Sequence, residues 1–214
     1  ILKAQRNIYV QSNIIATGSS GGDLTLNAGV DINISANITT ANGNLTLEAN
    51  NESISGRGNN RYSDIDISST VNLGTGDLNI TLGNSNTTGS YDVNLSSATI
   101  NANDITITAS ATDNSQPSDL GNFTASSAIN ITSNNKYLNV GGSSLTANGT
   151  GTAVNITSKY LSGSGSVSTP NGIWRATNTD TSINGGNFGG FSGNFIQYDY
   201  SSGDAIQGTG SGLL

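Results

Sequence analysis

Charged side chains are scarce in this chain, at 10% of 214 residues, yet several gather in one stretch. Residues 55–68 read SGRGNNRYSDIDIS and bring together Arg57, Arg61, Tyr62, Asp64 and Asp66. Asp64 and Asp66 are two apart, so on an extended strand both would face one side. Paired carboxylates at a controlled separation are what glycoside hydrolysis uses, and Arg57 or Arg61 could neutralise a uronate. An enzyme acting on acidic polysaccharide is therefore one reading of the stretch. A ligand-binding loop is another, because solenoids extrude insertions on one face, and a solvated loop with local Arg–Asp pairing is a third. Other chemistry lacks its parts. With no His, a Ser-His-Asp triad has no usual base, and with no Cys there is no thiolate for metal or disulfide. Residues 74–80, GTGDLNI, resemble one copy of a calcium-binding Gly-rich repeat, which needs consecutive copies to work. A non-enzyme without metal or cofactor is expected.

A second group of candidates lies near the end. Residues 174–200 hold six of the 12 aromatics, among them Trp174, Phe195, Tyr198 and Tyr200. Rings interleaved with Gly suit two roles: folding over an exposed core, or forming a platform on which sugars stack. A further candidate loop is TDNSQPSDLGNF, 112–123. Asn-x-Ser/Thr sequons also recur, and Asn44, Asn79, Asn130 and Asn155 fall where they would face outward as possible glycosylation sites.

The elements that must carry these residues show in the spacing of aliphatic side chains. Asp23-Leu-Thr-Leu, Asn44-Leu-Thr-Leu, Asp77-Leu-Asn-Ile, Asp104-Ile-Thr-Ile, Ala128-Ile-Asn-Ile and Ala153-Val-Asn-Ile repeat one pattern, their first apolar residues at 24, 45, 78, 105, 129 and 154. Between them sit second units, Ile32–Ile34, Ile65–Ile67, Val93–Leu95 and Leu138–Val140. Alternation with period two marks half-buried strands, and recurrence every 20–50 residues marks a solenoid whose repeats bury their apolar faces on each other. An antiparallel sandwich would use more hairpin turns and larger core residues. The expectation is all-β: a right-handed parallel β-helix of about eight coils, near 40 Å long at roughly 4.8 Å per coil. Residues 1–162 would form the coils, and 163–214 the terminal coils and an aromatic-rich cap of the same domain. Leu24–Leu26 and Ile32–Ile34 become successive faces of one coil, with Asn27-Ala28-Gly29 as the corner and Gly29 or Asn27 left-handed.

Composition bounds the partners. Asn, Ser, Thr and Gly make up more than half of the chain, Pro numbers only 2, and net charge is −7 without a basic cluster. That argues against nucleic acid, whose phosphates need concentrated Lys and Arg. No run approaches the roughly 18 apolar residues of a membrane helix, so no membrane insertion is expected, and a monomer is. The absence of Cys suits transit through a secretion pore. A start in mid-pattern without Met suggests a processed chain or fragment.

GDLTLNAGVDINI at 22–34 and the tail made by Trp174, Gly189-Gly190, Gly193-Asn194-Phe195, Tyr198 and Gly210–Leu214 resemble filamentous-haemagglutinin-type exoproteins, the large passengers of bacterial two-partner secretion. The resemblance implies a carboxy-proximal fragment of a secreted or cell-surface adhesin. Its parent would serve adhesion to host glycans or proteins, haem acquisition or contact-dependent competition. It further implies an outer-membrane secretion partner, engaged through a region outside this chain. A purely structural stalk is the remaining alternative.

Overall fold

In the computed structural model, residues 1–18, 21–51, 53–55, 62–83, 90–110, 118–179, 191–196, 205–206 and 208–213 are described. Among them there is no helix, and every pairing between strands is parallel. The chain winds as a β-solenoid with three faces.

The first face stacks β1 (Leu2–Ala4), β4 (Leu24–Ala28), β7 (Leu45–Ala49), β10 (Leu78–Leu82), β13 (Ile105–Ala109), the starts of β16 (Ile129–Asn139) and β18 (Thr152–Ser162), and β20 (Ile173–Asn178). The second stacks β2 (Ile8–Val10), β5 (Ile32–Ile34), β8 (Tyr62–Ile67), β11 (Ser90–Asn94), β14 (Ser118–Asp119) and the far ends of β16 and β18. The third stacks β3 (Ile14–Ile15), β6 (Ile38–Thr39), β9 (Thr70–Asn72), β12 (Thr99–Ala102), β15 (Asn122–Ala125), β17 (Ser144–Ala147) and β19 (Ser166–Ser168). Two short strands, β21 (Phe195–Ile196) and β22 (Gly212–Leu213), join the first face beyond β20.

The aliphatic repeat is the stacking register itself. Leu24, Leu45, Leu78, Ile105, Ile129 and Val154 are direct partners from coil to coil. Their side chains point inward, and all but the half-covered Leu24 are buried. Thr46, Asn79 and Asn130 alternate outward. A second aliphatic column runs Ile8, Ile32, Ile65, Val93, and is then occupied by Ser118 before resuming at Leu138. Ser118 is buried, and its hydroxyl accepts the N–H of Val93 at 3.4 Å.

Several expectations are corrected. The seven strands of the third face give about six full turns between β3 and β19, against eight expected coils. The shortfall has a simple cause: the third coil uses 33 residues from Leu45 to Leu78 where the second uses 21, and β20 begins a passage that the other faces do not match. The Asn27-Ala28-Gly29 corner lies one step later, because β4 runs through Ala28 and buries it. Neither Asn27 nor Gly29 is left-handed; Asn50, one coil on, takes φ 52°, and Ala41 and Asn42, in the bend before β7, take 50° and 80°. The candidate loop 112–123 is also shorter than expected. Ser118–Asp119 is β14, and Phe123 on β15 is, among the described residues, the largest fully buried side chain.

Between coils, Asn and Asp side chains run as ladders. The N–H of Asn44 donates to Asp23 Oδ1 at 2.9 Å, that of Asp77 to Asn44 Oδ1 at 2.8 Å, that of Asp104 to Asp77 Oδ1 at 3.1 Å and that of Ala128 to Asp104 Oδ1 at 2.8 Å. Each rung satisfies a backbone donor that a corner would otherwise leave without a strand partner. Glycine stands just before the ladder in three coils, at Gly22, Gly43 and Gly76, and a Cβ on Gly76 would collide with the carbonyl oxygen of Gly43. The close approach of coils requires glycine at 43 and 76, whereas a Cβ on Gly22 would meet open space.

Near the far end, Trp174 continues the first-face column after Val154 and packs on Phe191. Both are buried, edge-to-face at a centroid distance of 5.6 Å. The N–H of Trp174 donates to Ser211 Oγ at 3.1 Å, and the Arg175 guanidinium donates to the carbonyl oxygens of Trp174 and Gly210.

Candidate functional site

The two carboxylates singled out in the sequence belong to a strand. Asp64 and Asp66 stand on β8, with Ile65 and Ile67 buried between and beyond them, so both face outward on the second face. The expected loop 55–68 therefore contracts at its end into a coil strand. Tyr62 opens that strand, while Arg57 and Arg61 lie outside the described residues.

Stacking surrounds this pair with others that sequence spacing alone did not gather. Asp31, Asp64 and Asp92 occupy one position in three successive coils, linked by a ladder: the N–H of Asp64 donates to Asp31 Oδ1 and that of Asp92 to Asp64 Oδ1, both at 3.1 Å. Two residues along, Asn33, Asp66, Asn94, Asp119 and Asn139 form a second column. The amides of Asn33 and Asn94 hydrogen-bond to Asp66 from either side. Asn139 Nδ2 donates to Asp119 Oδ1 at 2.7 Å. Aligning each residue by its place before Ile32, Ile65 and Val93, or before Ile34, Ile67, Leu95 and Leu120, would have found the set; Ser118, standing where Ile32, Ile65 and Val93 stand, hid Asp119 by breaking the aliphatic signal.

Burial raises the pKa of two carboxylates on this face. Asp31 lies above the ordinary aspartate value chiefly because it is half-buried; the charge of Asp66 adds to the rise, while the N–H of Asp64 and the charge of Arg6 oppose it. Asp66 is likewise raised by burial, against the hydrogen bonds of Asn94 and Asn33.

Beside the columns a groove of about 210 Å³ opens toward the third face, lined by Asn33, Asp66, Ile67, Ser68, Asn94, Ser96 and Ser97. Its walls offer amides, hydroxyls and one carboxylate, a set suited to hydroxyl-rich neutral ligands. Asn94 Oδ1 is already taken by the N–H and hydroxyl of Ser96, at 3.3 and 2.9 Å. Ser68 and Ser97 are exposed. Among the described residues, no group of three or more acidic side chains is placed to hold a metal ion.

The remaining sequence candidates are spread over the other faces. Asn44, Asn79, Asn130 and Asn155 are all exposed. Asn79, Asn130 and Asn155 share one outward column of the first face, and Asn44 is a ladder rung whose Oδ1 is occupied by Asp77. Trp174 lies in the core, where its face is not open to a sugar. Phe195 is on β21, and Tyr198 and Tyr200 lie outside the described residues.

Fold and site together define a three-faced parallel β-solenoid whose outer surface is built of amide, hydroxyl and carboxylate columns. Compared with protein family models, curated protein sequences and solved structures, the chain matches none.

Proposed function

We propose that this chain is a non-enzymatic adhesive segment of a secreted bacterial surface exoprotein of the filamentous-haemagglutinin type, contacting host glycans or proteins through the outer faces of its solenoid. The observation that carries this reading is the groove beside Asp66, set in a surface where polar groups recur at every coil. Repetition multiplies weak contacts into useful avidity without any single strong one. The engagement of Asp64 and Asp66 in bonds to the next coils supports a binding role over hydrolysis, since both carboxylates are held by the scaffold.

The test measures binding of the full chain to a glycan array and to epithelial cells. Ser68→Trp combined with Ser97→Trp fills the groove from two exposed positions without touching a ladder. Arg57→Ala with Arg61→Ala probes the neighbouring stretch. At least a tenfold loss of binding in one of these variants, with an unchanged melting temperature, is expected. Full binding in both would move the ligand off the second face.

A further inference from the structure

The outward side chains of the first face form a regular array of two columns. In one, Thr81, Thr108, Thr132, Thr157 and Thr177 are direct partners from coil to coil. In the other, two residues earlier on each strand, stand Asn79, Thr106, Asn130, Asn155 and Arg175. Equivalent positions in neighbouring coils lie roughly 4.8 Å apart, and alternate residues of one strand roughly 6.6 Å apart. The register runs from β7 to Thr157 without a slip, because the bulge of β16 against β18 falls after Ser133. Side-chain ladders of this kind hold a sheet flat against its ordinary twist.

The array is also neutral and open. Between Glu48 on β7 and Arg175 on β20, every residue of both columns is Asn or Thr. Among the described residues, no side-chain hydrogen bond engages them, whereas the columns of the second face are tied into ladders. Their hydroxyls and amides therefore bond to water. The third face is less regular: along Asn101, Thr124, Thr146 and Ser168 the residue type changes from coil to coil.

We propose that the first face binds ice. An ice surface is a flat, uncharged lattice whose oxygens repeat in two dimensions at distances close to the two spacings of the array. Each Thr hydroxyl donates to or accepts from a lattice water, and each Asn amide offers two donors and an acceptor at the neighbouring place. The methyl groups of Thr border those waters without competing for their hydrogen bonds. The coils hold the array in place beforehand, and β-branched Thr has little rotamer freedom to lose on binding. Contacts too weak to fix one water add up over the coils to fix a crystal face. Crystalline polysaccharide is the other flat lattice, but sugar rings stack on aromatic side chains, and neither column holds one. The proposal is independent of the groove beside Asp66, which opens on another face.

The experiment grows ice on a cooled surface from a dilute solution of the full chain and compares the chain's concentration in ice and in liquid. Inhibition of ice recrystallisation is measured in parallel. The chain is produced in a host that does not glycosylate, since a sugar on Asn79, Asn130 or Asn155 would cover the array. The natural chain should enter the ice, while a control protein of similar size is excluded. Thr108→Tyr with Thr132→Tyr, at the centre of the array, should lose at least tenfold in recrystallisation inhibition with an unchanged melting temperature. Thr124→Tyr, on the third face, should lose nothing. If the double variant does not fold, Asn130→Lys alone carries the comparison. Exclusion of the natural chain from ice would overturn the proposal, as would full activity in the first-face variants or an equal loss in Thr124→Tyr. Retention on microcrystalline cellulose or chitin with no entry into ice would overturn it in favour of a polysaccharide lattice.

Discussion

A single oxygen does much of the joining between coils. Asp77 shows the economy best: its Oδ1 accepts the N–H of Asp104 at 3.1 Å and the Nδ2 of Asn103 at 3.0 Å. The ladder needs an acceptor at this place and does not need a charge, as Asn44 one coil earlier demonstrates. Asp77→Asn should therefore shift unfolding free energy by less than about 0.5 kcal/mol, as for an ordinary surface change. Asp77→Ala strands two donors and should cost about 1–3 kcal/mol. Urea titration of both variants checks the contrast; equal losses would mean that the carboxylate matters for its charge. The same reasoning explains why acidic residues so often stand just before a strand here. Asp23, Asp77 and Asp104 are rungs.

At the scale of the strand, burial alternates side chain by side chain, and its consequences can be separated within two residues. Leu45 is fully buried between Leu24 and Leu78, whereas Thr46 faces outward from the same strand. Leu45→Asp buries a charge with no partner and should cost about 4 kcal/mol or more. Thr46→Asp should change stability by no more than about 0.5 kcal/mol. Similar losses in the two, measured by denaturant unfolding, would contradict the inward and outward assignment. This alternation is also what made two of the three faces readable. The column from Leu24 to Val154 stands in the structure as it stands in the sequence, because paired aliphatic residues on five-residue strands leave a strong period-two trace. The third face left almost none. β3 and β6 are two residues long, and on β12, β15 and β17 the inward partners of Ile100, Phe123 and Leu145 are only the small Ala102, Ala125 and Ala147. The signal of the column from Ile14 to Val167 is its recurrence five to seven residues after the second-face column residues Ile8, Ile32, Ile65, Val93, Ser118, Leu138 and Leu161. The candidate site was half legible for a related reason. Asp64 and Asp66 declared their shared side by spacing, but Asp31, Asn33, Asp92 and Asn94 are 28 to 33 residues distant, and only the stacking register brings them near.

Across the whole molecule each coil touches only the coils before and after it, so stability is close to a sum of neighbour terms. Such an array is weakest at its ends, and Trp174 with Phe191 is packed near one of them. Trp174→Ala should cost about 3–5 kcal/mol. It should raise amide exchange in β18 and β20 well before β4 and β7; a uniform rise along the rod would show that the coils unfold as one unit. The unequal coil lengths carry a different consequence. Leu45 to Leu78 takes 33 residues where Leu24 to Leu45 takes 21, yet β7 and β10 pair without a slip over five residues. The bend after Ala49 is thus a tolerant splice, where chain can be let in or taken out while the winding above and below carries on undisturbed. A protein assembled on this plan can vary what it displays without renegotiating how it stands, and a foreign peptide inserted at that bend should be carried on the side of an intact rod.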